Sequence, residues 1–291
     1  SAPLRLQYTR ITKNDQDIGW MKTVHRERRD QIVSAIHVDE VKDPRTGRVR
    51  KEWRAEFGEA GVNGIGVDVY ARINLTDRII DTHSQTFQSE PGKYESWSIR
   101  TTVRIPKLPE PAARGPQQPN APAVQANELV WEKTSWLETG VRNGEQITII
   151  REGPAGVQRL SWRKPPIAYV SQVELYLMAP LLPKETGEYG FYAYYPNTGS
   201  VSFRKVRVVP SGDGGIRVLS QATPDSPEQR SDYDRDGNLI GRELGEGMEL
   251  VPTTRDELAK LYRIDLPDEK VEQPKPKDSE NPLPPSNRLP R

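Results

Sequence analysis

The 291-residue sequence contains no cysteine, which removes thiol nucleophiles, disulfides and thiolate metal sites together. It has only three histidines, His25, His37 and His83. None shows the H-x-H or H-E-x-x-H spacing that sets two imidazole ligands on one side of an element, so strand-surface positions are expected for them. A Gly-x-Ser-x-Gly nucleophile elbow is missing as well. No apolar run approaches the ~20 residues needed to cross a bilayer as a helix. Charge of one sign is also lacking: 42 basic residues face 41 acidic ones, so no global field favours nucleic acid or an anionic membrane. The local cluster His25, Arg26, Arg28 and Arg29 is broken by Glu27 and followed by Asp30, and reads as a solvated strand rather than a phosphate site. The chain starts Ser-Ala-Pro without an initiator methionine, as expected after removal of a signal peptide or a tag.

What is present is β-structure. Ile32 to Val38, Gly66 to Leu75 and Gln146 to Arg151 alternate apolar and polar residues, the period of strands with one buried face. Between such stretches lie Asp43-Pro44-Arg45-Thr46-Gly47, Pro91-Gly92, Arg142-Asn143-Gly144, Asn197-Thr198-Gly199 and Asp213-Gly214-Gly215, which fix bends or tolerate positive φ. About fourteen to seventeen strands fit this spacing. The expected fold is mainly β, with antiparallel sheets of sandwich or half-barrel type. Two short helices are expected. One covers Ser171 to Met178, stopped by Pro180 and Pro183. The other is opened by a Thr254/Glu257 capping box, with Thr253 as an alternative cap, and puts Leu258, Leu261 and Tyr262 on one face.

Hydrophobic residues make up 34% of the chain and prolines number 26, a composition that leaves part of it without a core. This divides the sequence into an N-terminal antiparallel β region (residues 1–105), a Pro-rich linker or insertion (106–127), a C-terminal β region with short helices (128–265) and a disordered Pro-rich tail (266–291).

The sharpest local pattern runs from Asp232 to Glu243. Asp232, Asp234, Asp236 and Asn238 around Gly237, with Glu243 at position twelve, match the oxygen spacing of a calcium loop. The flanks do not: Pro224, Pro227, Gly245 and Gly247 surround it where an EF-hand has helices, and Asp236-Gly237 is itself a hairpin signal. Calcium is the one cofactor the sequence raises, against a plain hairpin. Tyr189, Phe191, Tyr192, Tyr194 and Tyr195, with Trp131, Trp136 and Trp162, suit either a sugar or peptide platform or cross-strand pairs in a core. In the tail, Pro282, Leu283, Pro284 and Pro285 suit polyproline II, a conformation partners recognise readily.

The order of these signals resembles the N-terminal β-rich region of exported transglutaminase-like proteins of planctomycete bacteria. It runs from Asp17-Ile18-Gly19-Trp20 through Arg78-Ile79-Ile80, Glu90-Pro91-Gly92, Trp162, Glu174 to Pro183 and Phe191 to Asp234-Arg235-Asp236-Gly237-Asn238-Leu239 and Thr253-Thr254. In that family a Cys-His-Asp domain follows. Here a Pro-rich tail stands in its place and no cysteine is available, so no catalytic residue carries over, and the resemblance assigns Asp234, Asp236 and Gly237 to a hairpin. It implies an envelope or periplasmic location. A weaker similarity is to half-barrel lipid carriers of the envelope, whose groove calls for more apolar residues than this composition holds. The expected function is a non-enzymatic, exported, β-rich scaffold that binds a protein partner in an envelope assembly through its tail. The alternative is a ligand-binding module for glycan, lipid or calcium.

Overall fold

The computed structural model describes residues 4–90, 92–107, 131–196, 198–221, 227–264 and 266. Its strands are β1 (Arg5–Lys13), β2 (Gln16–Lys42), β3 (Val49–Asn74), β4 (Ile79–Ser89), β5 (Tyr94–Pro106), β6 (Trp131–Asn143), β7 (Gln146–Gly153) and β8 (Gly156–Arg163), followed by helices α1 (Gln172–Tyr176) and α2 (Met178–Leu181). Then come β9 (Gly187–Tyr195), β10 (Ser200–Pro210), β11 (Ile216–Gln221), β12 (Gln229–Tyr233), β13 (Leu239–Gly245), β14 (Met248–Thr253) and α3 (Arg255–Tyr262). All fourteen strands form one sheet in the order β8-β7-β6-β5-β4-β3-β2-β1-β14-β13-β12-β11-β10-β9. Every named pairing is antiparallel, and the first and last strands pair with each other, Tyr8 opposite Thr253. The fold is mainly antiparallel β, as the alternation predicts.

The Pro-rich stretch does not divide two sheets. On either side of residues 108–130, β5 and β6 pair over their full length, from Pro106 opposite Trp131 to Tyr94 opposite Asn143. The segment is therefore an insertion in a hairpin connection, because the alternation on both sides belongs to one pleated surface. The tail boundary also shifts. Leu266 is buried with Tyr8 and Leu258, and Arg255 Nε donates to its carbonyl at 2.7 Å, so the chain stays attached one residue past the expected limit. Residues 267–291, including Pro282 to Pro285, lie outside the described residues.

The sheet is rolled so that one end overlaps the other. Phe191 and Ala193 of β9 join Val206, Val208, Ile216 and Val218 in a core closed by Leu175, Met178 and Leu182 of the helical segment. Tyr194 projects from the opposite face of β9 and packs with Trp97 of β5 and Ile147 and Ile149 of β7, its ring 5.1 Å from that of Trp97. Thus β9 lies inside the curve of β5–β7. Alongside, α1 fills the roll over β3 and β4, with Val173 and Leu177 against Val67 and Val69. Ser171 caps α1 in a capping box with Glu174. Pro180 does not stop this segment; it falls in the first turn of α2, where a missing N–H costs nothing.

Outside the roll, the long β2–β3 hairpin bends at register shifts between Gln31 and Ala35. Its far half then covers the outer face of the sheet, with Ile36 and Trp53 packed on Phe87, Tyr94, Val141 and Ile150. Val33 N–H donates to the Tyr94 hydroxyl at 3.0 Å. Helix α3, capped by Thr254 as the Thr254/Glu257 box predicts, covers β1 and β2 through Leu258 and Tyr262. Among the described residues no helix is long and apolar enough to cross a membrane.

Trp97 lies flat across its cross-strand partner Gly140, where a Cβ would stand 1.9 Å from the ring. The indole is 2% exposed and donates to Glu138 at 3.1 Å, so it has nowhere to move. Gly140→Ala is expected to cost about 2–3 kcal/mol by overpacking, measured by urea unfolding; a change within about 0.5 kcal/mol would show that the Trp97 seat is not tight.

Candidate functional site

The inner face of β5, β6 and β7 carries two buried carboxylates, Glu95 and Glu138. Each meets an arginine from the same sheet and a tyrosine from the part of the chain rolled inside. Glu95 faces Arg142, whose Nε lies 3.5 Å away, and accepts the hydroxyl of Tyr169 at 2.5 Å. Arg142 in turn donates to the carbonyls of Gly92, Lys93 and Gly144, tying two turns together. Glu138 accepts from Arg151 Nε at 2.9 Å, from the Tyr194 hydroxyl at 2.9 Å and from Trp97. Arg151 also reaches the Pro196 carbonyl at 2.7 Å.

A cleft opens at each end of this seam. Beside Glu95, a cavity of about 450 Å³ lies between Arg142, Lys164, Tyr169 and Glu174 on one side and Ile65, Leu177 and Leu181 on the other. Beyond Glu138, a larger cleft of about 830 Å³ is walled by Ile99, Trp136, Leu137, Val157 and Pro196. It adjoins a notch of about 550 Å³ lined by Arg100 and by Lys133 to Leu137. Trp136, 43% exposed, belongs to both and rests on Gly153, where a Cβ would come within 2.6 Å of its Cδ1. This Trp136 cleft is the best candidate for recognition, because it combines a volume in the ligand range with a fixed, half-exposed aromatic surface.

The residues singled out from the sequence go elsewhere. Asp232 to Glu243 is a hairpin. Asp232 accepts from Arg217 at 2.7 Å and Arg230 at 2.6 Å. Asp234 accepts the backbone N–H groups of Asp236 and Asn238, and Arg5 takes the Gly237 carbonyl and the Asn238 side chain. Glu243 lies 3.8 Å from Arg230. Arg230 thus lies against both Asp232 and Glu243, and among the described residues no three His, Asp or Glu converge as a metal site. His25 is not a strand-surface residue but is buried on the inner face. His37 is on the exposed arm beside Glu56, and His83 stacks on Tyr70 at 4.2 Å. Arg26 and Arg28 meet Asp68. Phe191 and Tyr194 are core, and of the aromatic set Trp136 alone lines the cleft. Glu95, Glu138, Arg142 and Arg151 went unmarked in the sequence, although a charged residue at an inward position of an alternating strand is itself a signal.

No family model matches the chain. No curated protein matches it either. Among solved structures, the crystal structure of a beta-barrel-like protein of a domain of unknown function, DUF1849, from Brucella abortus is similar over 87% of this chain and 98% of that one, with 11% sequence identity and a TM-score of 0.45.

Burial shifts Glu95 and His25 in opposite directions. It pushes the Glu95 carboxyl up to about 7, against the pull of Arg142 and Tyr169, and it lowers His25 to about 4 with Arg5 adding to the effect. From about pH 4.5 to 7 the native protein keeps a Glu95 proton that the unfolded chain has released, so stability falls as pH rises. From about pH 4 to 6.5 the unfolded chain holds a proton that native His25 refuses, so stability rises with pH. Each effect is on the order of 3 kcal/mol, and over the shared window they offset. Glu95→Gln is expected to leave a stability that climbs from pH 4.5 to 6.5, and His25→Gln one that falls over the same range. Urea unfolding at four pH values tests both; curves parallel to the parent would exclude the linkage.

Proposed function

We propose that the chain is a non-enzymatic interaction protein of an exported envelope assembly, and that it holds a protein partner at the Trp136 cleft. The observation that carries this reading is the pair of adjoining clefts around one half-exposed tryptophan, opening at the end of the sheet seam. Such an aromatic, seated on a glycine and flanked by exposed Arg100 and Lys133, has the make-up of an interface hot spot. Glu95 and His25, two of the groups that burial displaces, sit on the inner face away from the lining of this cleft. Envelope location follows the resemblance to planctomycete exported proteins. A second reading, a module for a small glycan or lipid, has the 830 Å³ volume in its favour. The low apolar content of the whole chain does not weigh against it, since a cleft is lined locally.

A photo-crosslinking residue at Lys133 or Ser135 is expected to capture the same protein from a native envelope extract. The same residue at Phe203, exposed on β10, should not capture it, and Trp136→Ala should lower capture about tenfold, the ~1.4 kcal/mol scale of a modest hot spot. Equal adducts at all three positions would refute the assignment, and a small molecule retained in native mass spectrometry would favour the second reading.

A further inference from the structure

We infer that the partner adds an extended segment as a strand along the free edge of β6, with an acidic residue beside Lys133 and an apolar residue over Trp136. The inference rests on the reading of the Trp136 cleft as the partner site, and it names the partner's conformation and chemistry.

The edge is shown by the register. β6 pairs with β5 through thirteen uninterrupted positions, from Trp131 to Asn143. On its other side β7 meets it only from Leu137, opposite Glu152, to Asn143, and then turns back at Gly153–Gly156. Residues 131–136 therefore have a strand neighbour on one side only among the described residues. Six residues span about 20 Å, the length of an ordinary strand. No bulge interrupts this stretch and it contains no proline, so it lacks two of the usual protections of an exposed edge. The 550 Å³ notch follows the same edge, from Lys133 to Leu137, giving an added backbone room to lie.

The side chains define the occupant. Along a strand alternate residues share a face, so Trp131, Lys133 and Ser135 lie on one side and Glu132, Thr134 and Trp136 on the other. Lys133 stands directly opposite Arg104 of β5, a like-charge cross-strand pair that is unfavourable as it stands. Asp81 already serves Arg104 from the β4 side, at 2.7 Å. An acidic residue on an added strand would give Lys133 a matching partner from the open side, as Asp81 does for Arg104 from the β4 side. On the other face the half-exposed indole of Trp136, fixed on Gly153, offers an apolar surface beside Thr134. An extended peptide that alternates acidic and apolar residues satisfies both faces and pairs the free backbone groups.

The test uses the full chain and a library of capped octapeptides alternating apolar with acidic, basic or neutral residues. Binding is followed by calorimetry and by amide hydrogen exchange. The expected result is saturable binding of acidic members at least tenfold tighter than basic ones, with slowed exchange at residues 132–135. Lys133→Glu should reverse the charge preference. N-methylation of alternate peptide nitrogens facing β6 should abolish binding, while methylation of the other set should leave it. Binding that ignores both methylation sets, with no protection at 132–135, would overturn strand addition and leave the cleft as a side-chain site. Absence of binding by every member at millimolar concentration would overturn it too, whereas the crosslinking outcome tests the cleft assignment separately. Concentration-dependent protection of 132–135 in the protein alone would assign the edge to a second copy of this chain and refute the peptide.

Discussion

Two buried carboxylates set how far the sheet rolls. Glu95 and Glu138 stand on the inner face, and each receives a tyrosine hydroxyl from the overlapping end of the chain, Tyr169 for Glu95 and Tyr194 for Glu138. Apolar packing between the layers tolerates sliding, since any similar surface buries comparable area. Buried hydrogen bonds do not, because a shift of one residue would take the Tyr169 and Tyr194 hydroxyls away from both buried carboxylates. Replacing such pairs with apolar residues is often neutral for stability, so their contribution here is one of register rather than of energy. Trp97, lodged between Glu138, Gly140 and Tyr194, turns that register into a single fit.

The connectivity explains why the roll needs such a device. The strands follow one another as a meander except at a single place, where β1 meets β14 and joins the two ends of the chain at the centre of the sheet. The sheet edges are then β8 and β9, neighbours in sequence. Direct pairing of these two would close a barrel. Instead, residues 168–170 take the free edge of β9, through hydrogen bonds from Val170 N–H to the Tyr192 carbonyl and from Tyr192 N–H to the Ala168 carbonyl. The connection that follows β8 becomes the plug, and β9 passes inside rather than alongside.

Strand alternation, turn residues and the Thr254 cap were all legible in the sequence, because each depends on contacts a few residues apart. The Pro-rich insertion was legible as a segment but not as a hairpin connection, since register across it is a long-range property. The inner-face site was less visible. Glu95 sits between Tyr94 and Ser96 and looks like any polar residue of a half-exposed strand, and only the overlap of β9 and the plug buries it. The partners of the hairpin from Asp232 to Glu243 were hidden for a similar reason. Arg217 from the neighbouring strand binds Asp232, and Arg5 from β1 binds the Gly237 carbonyl and the Asn238 side chain, and neither is close in sequence.

A roll differs from a barrel in one functional respect: it keeps edges. Barrel closure satisfies every strand, whereas here, among the described residues, β8 has no strand partner on its outer side and β7 covers only part of the length of β6. The shortening of β7 is local in origin, because Gly153, Pro154 and Gly156 (φ +103°) force the turn while β6 continues on β5 to Trp131. The open edge at residues 131–136 and the cleft beneath Trp136 thus arise from the same turn. Pro154 ends the strand that would have covered β6, and Gly153 gives Trp136 the flat seat on which it stays half exposed. An edge open among the described residues and a half-exposed aromatic beside it are two consequences of one four-residue bend, so the proposed strand addition and side-chain insertion would meet at one point of the fold.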